Sequence, residues 1–252
     1  MRVKVLASGS KGNSTLIRTN NINLLIDIGV NYQYLCSELD KISVTPKEIN
    51  AILITHTHSD HIKGLASLVK KTNLKVYILR EMYEEIIKKV PSENIMFYED
   101  PLYLEDLKIN FIRISHDVDG VGFIMEDKTS SLVYITDTGY INEKYLPLMK
   151  NKTLYVIESN HDEEMVMEGP YPYILKQRVL SDHGHLSNNT TAEYLSKIVG
   201  RNTKKIVLAH ISENNNTPEL ALKTTKDVLD KNNIHKEIII AKQYESLEEI
   251  EV

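Results

Sequence analysis

The stretch Ile52-Leu-Ile-Thr-His56-Thr-His58-Ser-Asp60-His61 decides how this chain is read. Four potential metal ligands fall within six residues, directly after the apolar run Ala51–Thr55, which reads as a buried strand ending in polar residues. In extended backbone the side chains at i and i+2 point the same way, so His56 and His58 can grip one ion. Asp60 and His61 are adjacent and cannot share a face of a regular strand. A turn or helix start must follow, and it can aim both at a second ion. Two nearby divalent cations can jointly hold a hydroxide and a substrate oxygen. One isolated histidine in a loop would read as chance; H-x-H-x-D-H after a buried strand does not.

Outward from this stretch, short apolar β-branched runs alternate with helical patterns. Val3–Ala7, Thr15–Arg18 and Asn23–Ile28 read as a meander with Asn20-Asn21 as a turn. Further strands are predicted at Lys75–Leu79, Leu107–Ile114, Val121–Glu126, Leu132–Thr136, Thr153–Glu158, Lys205–Ala209 and Glu237–Ala241. Helices are predicted at Tyr32–Leu39, Ile62–Lys71, Glu81–Lys89, Glu143–Lys150, Tyr173–Val179, Thr190–Val199 and Glu219–Lys231. Thr217 caps the last of these, with Pro218 at its first position. Strands that come first as a meander and then mix with helices are best satisfied by two sheets with helices outside them, an α/β layered fold. No repeat, low-complexity stretch or linker divides the chain. It reads as one domain over residues 1–242 and an acidic C-terminal tail over 243–252, free or docked on a second copy in a homodimer.

The 252 residues contain nine histidines and one cysteine, Cys36. A thiolate zinc finger and an intrachain disulfide are therefore excluded, and any metal is bound by imidazole and carboxylate. No signal peptide or membrane-length apolar stretch is seen, so the expected setting is cytoplasmic, with no membrane partner. The net charge of −5 argues against non-specific coating of nucleic acid. Four glutamates of the tail account for most of it, and residues 171–242 hold eleven Lys/Arg against seven Asp/Glu.

A two-metal site needs ligands from elsewhere, and they stand at the ends of apolar strands: His116, Asp137 and His210. The expected sets are His56, His58 and His116 on one ion, and Asp60, His61 and His210 on the other, with Asp137 bridging. Asp27, after Leu24-Leu-Ile, either orients a ligand imidazole through its free N–H or closes a turn.

These residues resemble the metallo-β-lactamase superfamily, with Asp27, the His56–His61 motif, His116, Asp137 and His210 in family order. The resemblance implies a four-layer αββα sandwich with a binuclear site at one edge of the sheets. Dedicated β-lactamases often carry a cysteine near the second metal, and Cys36 is not at a matching position. Ala7-Ser-Gly-Ser-Lys-Gly-Asn13-Ser, Glu158-Ser-Asn-His161-Asp162, Gly184-His185-Leu-Ser187-Asn188 and Leu208-Ala-His210-Ile-Ser-Glu-Asn-Asn215 look like the WalJ/YycJ-type branch. One departure is Ile28, where that branch usually has alanine. The branch implies a phosphodiesterase with 5′→3′ exonuclease activity on DNA. Hydrolysis of small cyclic nucleotides, a thioesterase or lactonase, and a metal-bearing regulatory protein are the other readings.

His185, Ser187 and Asn188 precede a helical run, and a helix start with hydroxyl and imidazole donors suits a phosphate oxygen. His185 is expected to clamp phosphate or to donate a proton to the leaving oxygen, or only to cap the helix. Asp60 is expected to be essential to catalysis. Zn²⁺ and Mn²⁺ both fit the nitrogen and oxygen ligands, and the partner is a nucleic acid or nucleotide substrate. Glu158 and His161 line the cleft or tie loops. His183 and His235 read as structural or exposed. Tyr32, Tyr34, Tyr171 and Tyr173 can stack bases or pack the rim.

Overall fold

Hydrophobic runs that look continuous in sequence do so because both of their faces are covered. A computed structural model describes residues Met1–Val252. In strand β10 (Ser131–Ile135), Leu132 and Tyr134 face the main core between two sheets, while Val133 and Ile135 face a second core under helices. The same alternation holds in β11 (Leu154–Glu158) and β12 (Lys205–Ala209). The architecture is two seven-stranded mixed sheets packed face to face with helices outside, an α/β sandwich.

The first sheet contains β1 (Arg2–Ala7), β2 (Ser14–Arg18), β3 (Asn23–Ile26), β4 (Ala51–Leu53), β5 (Lys75–Ile78) and β6 (Ile95–Phe97), side by side in that order. β1 to β3 are antiparallel and β3 to β6 parallel. The second sheet runs from β7 (Leu102–Leu104) through β8 (Leu107–Arg113), β9 (Val121–Glu126), β10, β11 and β12 to β13 (Glu237–Ile240). It repeats the plan, antiparallel up to β10 and parallel beyond it. The two halves are thus alike in topology although no repeat is visible in sequence. The acidic terminal segment ends in β14 (Ile250–Glu251), which pairs with Arg2 and Val3 on the free edge of β1. Its charge is answered locally: Glu249 pairs with Arg18 at 2.8 Å, and Lys4 Nζ donates to the Leu247 carbonyl at 2.9 Å.

The helices are α1 (Tyr32–Asp40), α2 (Ser59–Ile62), α3 (Leu65–Thr72), α4 (Tyr83–Ile86), α5 (Leu146–Met149), α6 (Glu163–Glu168), α7 (Tyr173–Leu180), α8 (Asn188–Ile198) and α9 (Pro218–Lys231). None is long and apolar enough to cross a membrane. The helix expected over Ile62–Lys71 is divided between α2 and α3, because Gly64 packs under the loop after β3. A Cβ there would sit 2.3 Å from the Val30 carbonyl oxygen. Those expected at Glu81–Lys89 and Glu143–Lys150 each open with a 3₁₀ turn and are shorter. Strands β6, β7 and β14 and helix α6 carry no signal in the sequence, since two to six residues are too few for a period to emerge.

Candidate metal centre

The site gathers at the C-terminal ends of parallel strands in both sheets, where open α/β sheets bind ligands. Asp27 follows β3, His56 follows β4, Asp137 follows β10, Glu158 ends β11 and His210 follows β12. Asp27, Asp137 and His210 all adopt left-handed backbone, with φ of 57°, 58° and 54°. For residues with a Cβ this conformation costs on the order of 1 kcal/mol each, and it turns the side chains inward across the sheet ends.

His56, His58 and His116 meet on one side. His58 is extended, as the residue that caps α2, and His116 lies beyond β8. His56 Nε2 is 3.1 Å from His58 Nδ1, and His116 Nε2 is 3.3 Å from the same atom. Their protons belong on the outward nitrogens. The Gly184 carbonyl can only accept, so His116 Nδ1–H donates to it at 3.2 Å. Thr55 Oγ1 donates to Asp27 Oδ2 at 2.7 Å and therefore accepts from His56 Nδ1 at 3.0 Å. His58 Nε2 lies 3.2 Å from Asp117 Oδ1, a favourable place for its proton. Three imidazole lone pairs thus face one another, repulsive alone and complementary to a cation. Burial, with His61 nearby, keeps the His56 imidazole well below its ordinary range, neutral as a ligand must be.

Asp60, His61 and His210 meet on the other side. His61 Nδ1 donates to Asp27 Oδ2 at 2.7 Å, so in the neutral ring Nε2 carries the lone pair, 3.5 Å from Asp60 Oδ2 and 3.3 Å from Asp137 Oδ2. His210 Nδ1 donates to Glu158 Oε1 at 2.8 Å, which leaves Nε2 buried without a partner and 4.0 Å from Asp60 Oδ2. Asp137 Oδ2 is likewise buried and receives no hydrogen bond. Burial opposes charge on His61 and His210, but Asp137 outweighs it, joined by Asp27 at His61 and by Glu158 at His210. The first imidazole is held well above its ordinary range and the second is pushed up to about 9. The carboxylates demand positive charge here, and a proton and a divalent ion compete for the same nitrogens. Orphaned buried donors of this kind, as imidazole and carboxylate sets facing one another, fit divalent metal ions.

The structure therefore brings together His56, His58, Asp60, His61, His116, Asp137 and His210, and it sets Asp27 behind them. His185 stands at the rim, its ring one-fifth exposed and its Nδ1 2.8 Å from Glu158 Oε1. Ser187 and Asn188 have a different task from the phosphate contact expected of them. Ser187 Oγ caps α8 through Thr190 N and donates to Glu163 at 2.7 Å. Asn188 is buried, accepts from Ser159 Oγ at 2.6 Å and exchanges hydrogen bonds with Asn216. Their polar atoms are spent on holding α8 to the loops after β11 and β12. His183 is exposed, with Nδ1 3.4 Å from Ser115 Oγ, and exposed His235 pairs with Asp230.

Two residues matter more than their sequence suggested. Asn13, in the loop after β1, donates to the Gly9 carbonyl at 3.0 Å, and the same amide nitrogen lies 2.9 Å from His61 Nε2 and 3.2 Å from Asp60 Oδ2, so it holds both candidate ligands in place. Glu158 is fully buried and accepts from His185, His210, Thr138 N and Leu186 N. Burial pushes its carboxyl up, but His185 and His210 bring it down to about 2, so it stays a carboxylate. Its position at the end of a parallel strand, like that of Asp137, was the available signal.

The family model for a beta-lactamase superfamily domain matches residues 23–211. Exodeoxyribonuclease WalJ of Streptococcus pneumoniae is 38% identical over 230 residues, covering 87% of this chain and 85% of that protein. Exodeoxyribonuclease YycJ of Bacillus anthracis is 34% identical over 236 residues, covering 91% and 89%. Among solved structures, the metallo-beta-lactamase fold protein YhfI of Bacillus subtilis superposes with a TM-score of 0.77 at 19% identity, covering 98% of each chain, a likeness of fold. The family model and these relatives agree: the chain belongs to the beta-lactamase superfamily, in the branch of the WalJ and YycJ exodeoxyribonucleases.

Proposed function

We propose that this chain is a metal-dependent phosphodiesterase that degrades DNA as an exonuclease, in the 5′→3′ direction that the branch resemblance implies. The observation that carries the reading is the pair of facing donor sets on either side of Asp137, each with its outward nitrogens tied to acceptors. His56, His58 and His116 would hold one divalent ion, Asp60, His61 and His210 a second, with Asp137 between them; Zn²⁺ and Mn²⁺ both suit these donors. Ions held there supply Lewis acidity, easing deprotonation of a water and offsetting negative charge on phosphate oxygens.

The remaining work falls to this chain's own groups. Asp27 and Glu158 orient ligand imidazoles through hydrogen bonds to their far nitrogens, at 2.7 and 2.8 Å. His185 lines a cavity of about 210 Å³ beside His210. With Nδ1–H anchored on Glu158, its Nε2, once protonated, can donate a hydrogen bond to a phosphate oxygen or give that proton to the leaving oxygen. The choice of DNA rests on the names of the two bacterial relatives.

A substrate panel tests this: 5′-labelled single-stranded and duplex DNA, RNA, cyclic nucleotides and a thioester, each with Mn²⁺ or Zn²⁺. DNA cleavage is expected, abolished in Asp60→Ala and lowered about 10²- to 10³-fold in kcat in His185→Ala. Thioester turnover without phosphodiester turnover would overturn the reading; wild-type rates in His185→Ala would remove only the role given to His185.

A further inference from the structure

A chain of net charge −5 is an unpromising host for a polyanion. One segment reverses that sign. Residues 62–80, which follow directly on the His56–His61 motif, hold Lys63, Lys70, Lys71, Lys75 and Arg80 and no carboxylate. All five are exposed. None leans on a carboxylate, whereas Lys41, Lys88 and Lys242 each pair with a glutamate three residues away.

Part of this charge is interleaved with tyrosine. Lys71 Nζ lies 4.8 Å over the Tyr32 ring, across from α3 to the start of α1. Lys63 and Tyr34 line a cavity of about 150 Å³ together with Lys11 and Tyr244, and Lys11 Nζ lies 5.2 Å over the Tyr244 ring. Lys11 also binds Glu213 at 2.7 Å. Glu213 and Ser10 line the cavity that His185 and His210 border, so the two cavities adjoin at the Ser10–Lys11 loop, one at the candidate metal centre and the other reaching Lys63, just ahead of α3.

We infer that the lysine–tyrosine surface formed by α1, α3 and the Ser10–Lys11 loop is the track on which single-stranded DNA lies on its way to the centre, an inference that rests on the nuclease reading above. Lysines neutralise successive phosphates and release their counterions, and aromatic rings offer faces to unstacked bases. Lysines and tyrosines set side by side on one surface offer both kinds of contact that a strand calls for, one for its phosphates and one for its bases. A small phosphodiester that fills only the centre has no use for such a surface, so the track would distinguish a polymer from a cyclic nucleotide.

The test is the full-length triple variant Lys63→Glu/Lys70→Glu/Lys71→Glu, compared with Lys223→Glu/Lys226→Glu/Lys231→Glu on α9, which changes net charge equally. With Mn²⁺ present, kcat/KM is measured for a 30-nucleotide single strand and for bis(p-nitrophenyl) phosphate. The first triple is expected to lower the ratio of oligonucleotide to small-substrate kcat/KM about 30-fold, mainly through KM. Its dependence of log kcat/KM on log salt should become shallower by about 2, from three lost phosphate contacts. The α9 triple should leave both nearly at wild type. An unchanged ratio and salt slope in the first triple, or an equal loss in the second, overturns the track. A wild-type protein that hydrolyses neither substrate counts against the nuclease reading instead. In that event fluorescence anisotropy on the same oligonucleotide still decides the track, upheld if only the first triple binds at least 10-fold more weakly and overturned otherwise.

Discussion

His161 is the buried imidazole that the centre leaves unused. It is 1% exposed, bridges to Ser187 in a strand-like contact, and its Nδ1 has no partner. Burial pushes it down to about 4. In the unfolded chain it titrates near 6.5, so between those values the unfolded state binds more protons. Its contribution is fully present above pH 6.5 and is lost as pH falls through about 4. In EDTA, urea unfolding from pH 7 to pH 4 should cost the wild type on the order of 3 kcal/mol more stability than His161→Gln. Parallel pH profiles for the two proteins would sink this assignment. Legibility at this scale divided by distance in sequence. The metal-ligand candidates could be read because each follows an apolar strand, but whether a polar side chain has atoms to spare could not. Ser187 and Asn188 looked like phosphate donors, yet Glu163, Ser159 and Asn216 occupy their hydrogen-bonding groups. The task of Glu158 is set by His185 and His210, which both donate to one of its oxygens and lie far from it in sequence.

At the scale of elements, the geometry of the motif depends on how tightly the turn at Asp60 docks on the end of β3. Asn13 N donates to the Asp60 carbonyl at 2.8 Å, Gly29 N donates to the Asn13 carbonyl at 2.8 Å, and Ile28 N donates to the His61 carbonyl at 2.8 Å. Three chain segments meet there with no room for a side chain, since a Cβ on Gly29 would lie 1.5 Å from the Asp60 carbonyl oxygen. Gly29→Ala must therefore move α2. It is expected to cost about 3 kcal/mol in urea unfolding and to weaken Mn²⁺ binding at least 10-fold in calorimetry. Wild-type affinity in that variant would show that the docking does not set the ligand geometry. The long, strongly periodic elements could be anticipated. Strands β6, β7 and β14, of two or three residues, and the break at Lys63-Gly64 arise from pairing and close approach to residues far along the chain, and no local period encodes them.

Over the whole molecule, the centre joins the two sheets. His56, His58, Asp60 and His61 come from the first, and His116, Asp137 and His210 from the second. Divalent ions binding across that junction should stabilise the folded chain as a unit. At 100 times the dissociation constant the gain is about 2.7 kcal/mol per site, a rise in Tm of about 5–10 °C for a chain of this size. Differential scanning calorimetry with Mn²⁺ and with EDTA checks this, and Asp137→Asn should lose most of the difference. No metal-dependent change in Tm would mean that the two donor sets do not act as a binding site. Charge also takes its meaning at this scale. The acidic terminal segment is answered by Arg18 and by the edge of β1, while residues 62–80, directly after the His56–His61 motif, carry five exposed cations and no carboxylate.

Residues close in sequence settled what local backbone geometry can settle: alternation placed the strands, and the spacing of H-x-H-x-D-H allowed two ligand pairs across one turn. Only the tertiary structure decided which distant strand ends complete them, and which nitrogen of each imidazole faces inward. Those choices follow from acceptors such as Asp27, Glu158 and the Gly184 carbonyl. Each lies tens of residues from the histidine it orients, and hydrogen bonding acts through space rather than along the chain.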